Sequence, residues 1–170
     1  FSEYHHTVAQ LLITGDDTTN DTRRFNFTNT LNRLLELGAL PVINENDTVA
    51  TDEIVIGDND TLAAIVARSV HADMLILLSD IDGLYTADPH THPEAKLLHH
   101  VAGVDDHIRE IAGISSSTQG TGGMVTKLHA ADICLGCGCK MVIANGNNPG
   151  NLYDILEGKT VGTTFSEERL

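Results

Sequence analysis

Asn44-Glu45-Asn46-Asp47 gathers two amides and two carboxylates in four residues, directly behind the apolar run Leu40-Pro41-Val42-Ile43. Such a group offers both hydrogen-bond donors and acceptors, as a polar, zwitterionic small molecule requires. An Asx-rich turn accounts for the same residues, because Asn and Asp bond their own backbone. A second cluster, Gly57-Asp58-Asn59-Asp60, precedes an apolar stretch through Leu62 and Ala63. One Asp at such a place is explained as a helix cap worth about 1 kcal/mol. Two clusters in close succession mean more, because a sheet then delivers several carboxylates and amides to one edge. An Asp placed there holds a lysine or a substrate ammonium, or ligates Mg²⁺ directly or through water.

The third cluster is Gly120-Thr121-Gly122-Gly123-Met124-Val125-Thr126-Lys127. Glycines let the main chain approach a ligand closely, a helix N-terminus presents N–H groups to an anion, and the ammonium reaches a phosphate. The spacing differs from the Walker pattern. A lysine here carries weight in a chain with only 10 Lys+Arg. A fourth feature, Ser79-Asp80-Ile81-Asp82-Gly83-Leu84-Tyr85, ends the run Met74-Leu75-Ile76-Leu77-Leu78. It is either a plain strand-to-helix connection or the place for a nucleotide's base or ribose, with Tyr85 as a wall.

Strands are expected over residues 7–14, 40–44, 74–79, 141–144 and 162–165, and helices over 22–37, 60–70 and from 127 to about 135, with a helical turn near 152–156. Residues 15–21 read as a polar turn. In the first helix Phe25, Leu31, Leu34 and Leu35 form the apolar face, and Gly38 ends it. The runs 40–44 and 74–79 have the continuous apolarity of strands covered on both faces of a parallel sheet. Alternating strands and helices predict an α/β fold, one domain over residues 1–170, with ligands at the carboxyl ends of the strands.

The composition excludes several classes. The chain has 170 residues, 41% hydrophobic, and its 24 Asp+Glu against 10 Lys+Arg give a formal net charge of −14, the wrong sign for a nucleic-acid backbone binder. No apolar run has the length of a membrane helix and no signal peptide opens the chain, so a cytoplasmic protein is expected. Cys134, Cys137 and Cys139 are too few and too close for a disulfide framework. Cys134 and Cys137 have the spacing of a zinc ligand pair, but no second pair stands at the matching distance, and thiols packed at a helix end are the plainer account. His5-His6 and His99-His100 are expected on the surface. Phe1 in place of Met, and a strand already under way at Thr7, predict a part of a longer chain.

The four motifs in this order resemble the glutamate 5-kinase branch of the amino acid kinase family: Pro41-Val42-Ile43-Asn44-Glu45-Asn46-Asp47, Gly57-Asp58-Asn59-Asp60, Leu78-Ser79-Asp80 with Gly83-Leu84-Tyr85-Thr86-Ala87-Asp88-Pro89, and Gly120–Lys127. The resemblance runs over essentially the whole chain. It implies a three-layer αβα sandwich with an open, mainly parallel sheet, and ATP with Mg²⁺ phosphorylating the γ-carboxylate of L-glutamate at the start of proline synthesis. It places Asn44, Asp47 and Asn59 at glutamate, with Asp58 helping to hold the site and Asp60 organising the catalytic lysines. It places Ser79, Asp80 and the loop Thr121, Gly122, Gly123, Met124, Val125 and Thr126 at the nucleotide, and Lys127 on the phosphates. A homo-oligomer and feedback inhibition by proline are further implications. The family's earlier segment, with a lysine and a glycine-rich turn on its first strand, has no counterpart here, nor does an RNA-modification-type domain after Leu170. The expectation is therefore roughly the last two-thirds of a kinase domain, inactive by itself. Sister kinases acting on acetylglutamate, aspartate, carbamate or uridylate, and a non-catalytic amino-acid-binding module, are the alternatives.

Overall fold

The computed structural model describes residues 1–49, 56–115 and 123–167, apart from the side chains of 114 and 115. After a 3₁₀ turn at Ser2–Tyr4 come β1 (Val8–Ile13), α1 (Gly15–Thr19), α2 (Asp21–Glu36), β2 (Leu40–Glu45), α3 (Asn59–Ser69), β3 (Met74–Ser79) and β4 (His100–Val101). The chain continues with α4 (Asp106–Ser115), α5 (Met124–Leu135), β5 (Lys140–Asn145), α6 (Asn151–Leu156) and β6 (Thr163–Phe165).

Among the described residues the strands form two sheets. β1 and β2 pair in parallel, with Val8 opposite Leu40 and Ile13 opposite Glu45. The second sheet has the order β3-β5-β6-β4, in which β3/β5 and β4/β6 are parallel and β5/β6 antiparallel. The architecture is thus α/β and mainly parallel, as expected from the alternation of elements.

β5 lies inside its sheet, and Met141, Val142, Ile143 and Ala144 are all buried. β3 is an edge strand, so only Leu77 of it is buried and Leu78 is half exposed. β2 alternates, leaving Leu40 and Val42 exposed, rather than being covered on both faces. Between β2 and β3 runs an apolar groove of about 510 Å³ lined by Pro41, Ile43 and Leu75 and by Leu62, Ala63 and Val66 of α3.

The capping interactions explain where the helices begin and end. Residues 15–19 form a helix rather than the expected turn, because the Asp17 carboxylate accepts from the Thr14 N–H (2.8 Å) and hydroxyl (2.9 Å). Burial raises the pKa of Asp17, but these bonds and Arg23 outweigh it and leave it lowered. Asn20 caps α2 through the N–H groups of Thr22 and Arg23, and Gly38 at φ +70 follows its end. In α2 the buried residues are Phe27 and Leu31, whereas Phe25 is 64% exposed, so the core-facing stripe is turned from the expected one.

β4 is too short to show a period, whereas α4 was legible, with Ile108, Ile111 and Ala112 at helical spacing, and was not among the expected helices. Of the His99-His100 pair, His99 is exposed as expected and His100 is half-buried. His99 Nδ1 lies 3.2 Å from the Gly162 carbonyl and His100 Nε2 lies 3.1 Å from that of Ser166, binding β4 to the ends of β6. The thiols of Cys134 and Cys139 are buried at the end of α5 and the start of β5, while Cys137 is exposed. No helix among the described residues is long and apolar enough to cross a membrane.

At Gly162 the backbone sits at φ +65, and a Cβ there would overlap the Ile143 carbonyl oxygen. Gly162→Ala is expected to destabilise the fold by about 2 kcal/mol or more, whereas Gly38→Ala, with open space around its Cβ position, costs about 1 kcal/mol. Thermal denaturation of the two variants checks this order. Burial, with Cys139 and Cys137 nearby, pushes the Cys134 thiol up to about 12. Iodoacetamide at pH 8 should therefore label Cys137 and spare Cys134 until the protein is unfolded, as read by peptide mass spectrometry.

Candidate active site

Two helices packed against one another set the centre of the site. α3 and α5 share one core cluster, in which Ala64, Ala130 and Ala131 have no exposed surface and Ala67 has little. Small side chains let the helix backbones approach, and this brings their first turns together. There Lys127 Nζ donates to Asp60 Oδ2 at 3.1 Å, and the Thr126 hydroxyl donates to the same oxygen at 2.7 Å. The pair is largely buried, with side-chain exposures of 10% for Lys127 and 17% for Asp60. α5 starts at Met124 with Gly123 as its N-cap, so Lys127 lies one turn inside the helix, with its stem against the core.

The ion pair opens into a pocket of about 360 Å³ lined by Asn44, Glu45, Asp47, Gly57, Asp58, Asn59, Asp60 and Lys127. The end of β2 supplies the first three and the start of α3 the next four. Lys127 therefore sits at the mouth formed by the two acidic clusters, which are far from it in sequence.

The pocket's carboxylates do different things. Asp58 is the N-cap of α3, accepting from the Thr61 N–H (2.7 Å) and hydroxyl (2.8 Å). Glu45, a member of the first acidic cluster given no role of its own there, accepts from the N–H groups of Ile56 (2.7 Å) and Gly57 (3.3 Å). It ties the end of β2 to the approach to α3, a long-range bond that no local pattern announces. Asp60 serves Lys127 and Thr126. Asp47, exposed on the rim, makes no hydrogen bond or ion pair among the described residues. Asn44 and Asn59 are exposed and line both this pocket and the apolar groove beside it.

Ser79 and Asp80 lie apart from the pocket lining, at the carboxyl end of β3, where the Ser79 hydroxyl donates to Asp80 Oδ1 at 3.1 Å. Ser79 faces Asn145 of β5. Asn145 donates to Asp82 Oδ1 at 2.8 Å and Tyr85 to Asp82 Oδ2 at 3.0 Å, which holds the loop after β3 against the end of β5. Gly123, Met124, Val125 and Thr126 open α5, with Val125 exposed and Met124 buried. Thr121 and Gly122 lie outside the described residues. Among the described residues there is no group of three or more His, Cys, Asp or Glu side chains that could hold a metal ion.

The family model for the amino acid kinase family matches residues 1–145. The chain is 50% identical over 165 residues to a glutamate 5-kinase of Thermoanaerobacter sp. (strain X514), covering 97% of this chain and 44% of that protein. It is 49% identical over 169 residues to a glutamate 5-kinase of Clostridium perfringens (strain 13 / Type A), covering 97% of this chain and 63% of that protein. The chain thus spans between 44% and 63% of the length of these two curated relatives. Among solved structures, the UMP kinase of Bacillus anthracis superposes with a TM-score of 0.67 at 16% identity, over 99% of this chain and 61% of that one. An isopentenyl phosphate kinase of T. acidophilum superposes with a TM-score of 0.58 at 21% identity, over 96% of this chain and 62% of that one. The chain belongs to the amino acid kinase family.

Proposed function

We propose that these residues form the acceptor side and part of the phosphate side of an ATP-dependent kinase that phosphorylates the γ-carboxylate of L-glutamate, giving L-glutamyl 5-phosphate for proline synthesis. The observation that carries this reading is the single pocket joining Asn44, Asp47 and Asn59 to the Asp60–Lys127 pair. The likeness to glutamate 5-kinases over 97% of the chain supports the choice of acceptor.

A side-chain carboxylate is ionised at neutral pH and attacks the terminal phosphorus without a general base. The site's work is to align two anions in line and to place positive charge over the transferring group. Lys127 supplies that charge and Asp60 holds it in place. Asp47, the rim carboxylate without a hydrogen-bond or ion-pair partner among the described residues, and the amides of Asn44 and Asn59 suit the ammonium and carboxylate ends of an amino acid. Ser79, Asp80 and residues 121–126 take the nucleotide. The oxygen donors at the start of α3 suit Mg²⁺, which binds through one or two carboxylates, waters and phosphate oxygens. Bound with ATP, the ion supplies further positive charge to the phosphates.

In this reading the 170 residues are about the last two-thirds of a larger kinase domain. Two observations support it: the partial coverage of the relatives, and the groove between β2 and β3, strands that share no hydrogen bonds with each other among the described residues. A homo-oligomer, a cytoplasmic location and proline as feedback inhibitor belong to the same reading.

Lys127→Ala in the intact enzyme is expected to lower kcat at least a hundredfold, since a charge contact to the transition state is worth several kcal/mol; a loss below tenfold overturns its role. Asp47→Ala and Asn59→Ala should raise KM for glutamate about tenfold or more while KM for ATP stays put, and an unchanged glutamate KM removes them from the acceptor site. Calorimetry with each substrate tests the reading as a whole: ATP binding supports the kinase, while amino-acid binding without nucleotide binding would favour a regulatory module.

A further inference from the structure

We propose that a second cavity, between the start of α2 and the end of α3, binds a small organic polyanion carrying carboxylate or phosphate groups. The cavity measures about 510 Å³ and is lined by Asp21, Arg24, Phe25 and Thr28 of α2 and by Arg68, Ser69 and His71. The α2 members follow the i, i+3, i+4, i+7 spacing of one helix stripe, so a regular face of α2 fronts the space. Its volume is that of a pocket for a small metabolite.

The charge here runs against that of the chain. In a protein of formal charge −14, two guanidinium groups and an imidazole meet around one cavity that has a single carboxylate, Asp21. Asp21 is 89% exposed in its 2.6 Å contact with Arg24. Exposed pairs of this kind are weak and yield to a ligand that offers better geometry. Arg68 is exposed and has no side-chain hydrogen bond or ion pair among the described residues. The planar fork of a guanidinium matches a carboxylate or a phosphate with two parallel hydrogen bonds. The exposed ring of Phe25 offers a surface for the carbon skeleton of the same ligand.

Ordinary helix-end chemistry accounts for part of this arrangement. A cation in the last turn of α3 suits the helix dipole, which explains Arg68. It does not explain His71, which sits at φ +53. Its N–H donates to the Arg68 carbonyl at 3.3 Å and that of Ala72 to the Ala67 carbonyl at 2.9 Å, the paired bonds of a helix terminus at which glycine is the least strained residue. An imidazole is thus kept beside the two guanidiniums at a conformational cost.

α3 joins the two cavities. It begins with the Asn59 and Asp60 of the first pocket, ends with the Arg68 and Ser69 of the second, and spans about 16 Å at ~1.5 Å per residue. The second cavity therefore lies at the opposite end of α3 from the Asp60–Lys127 pair.

Calorimetric titration of the intact protein with citrate and, separately, with pyrophosphate tests the site. Saturable one-to-one binding of at least one probe is expected, weakened about threefold or more by Arg68→Ala and about tenfold or more by R24A/R68A, and unchanged by Lys127→Ala. Binding of citrate alone identifies a carboxylate ligand, and of pyrophosphate alone a phosphate ligand. Because Arg68 is exposed and makes no side-chain bond among the described residues, Arg68→Ala should melt with the wild type and so reports on binding rather than folding. The proposal is overturned if neither probe binds saturably, if R24A/R68A binds as tightly as the wild type, or if Lys127→Ala abolishes binding. None of these outcomes depends on which reaction the first pocket performs.

Discussion

The buried contact between Lys127 and Asp60 is the constraint around which the rest is arranged. The Lys127 side chain is only 10% exposed, and a carboxylate stands 3.1 Å from its Nζ. Removing one partner from a buried pair commonly costs about 3–5 kcal/mol, because the other charge is left uncompensated. The pair exists because Ala64, Ala67, Ala130 and Ala131 let α3 and α5 approach closely. A larger residue at any of these positions would separate the first turns of the helices and with them the two charged groups. Core packing and site chemistry are therefore set by the same four small side chains.

A net charge of −14 is ill suited to the anionic substrates proposed above, and the pocket itself carries four carboxylates against one lysine. Most of that negative charge is committed. Glu45 is absorbed by backbone N–H groups, Asp58 by the cap of α3, and Asp60 by Lys127 and Thr126. Asp47 is left facing solvent, the one that suits a cationic group on a ligand. What matters locally is which carboxylates are already hydrogen-bonded, and formal charge does not report that.

Three of the four motifs read from sequence converge because each lies at the end of an element whose periodicity was legible: β2 before Asn44, α3 after Asp58, α5 around Lys127. β5 was placed by its apolar run within a residue of its observed start. What could not be read has a common cause in tertiary context. β4 is two residues long and is held by His99 and His100 to β6, so its pattern carries no period. Phe25 fits an apolar helical stripe as well as Phe27 does, and only the position of β1 and β2 selects Phe27. The role of Glu45 depends on amides eleven and twelve residues away. Asp82 and Asn145 meet only because β3 and β5 are neighbours.

The Glu45 clamp has a bearing on how this scaffold can change its ligand. By accepting from the Ile56 and Gly57 N–H groups it ties the end of β2 to the residues just before α3. With these residues tied, lengthening the connection between them costs little, since closure entropy grows only with the logarithm of its length. Mutation can therefore resculpt the rim of the pocket, Asp47 included, while the ammonium and its counter-ion stay in register below. In the kinase proposed above, a lineage could diversify its acceptors here without rebuilding its phosphate chemistry.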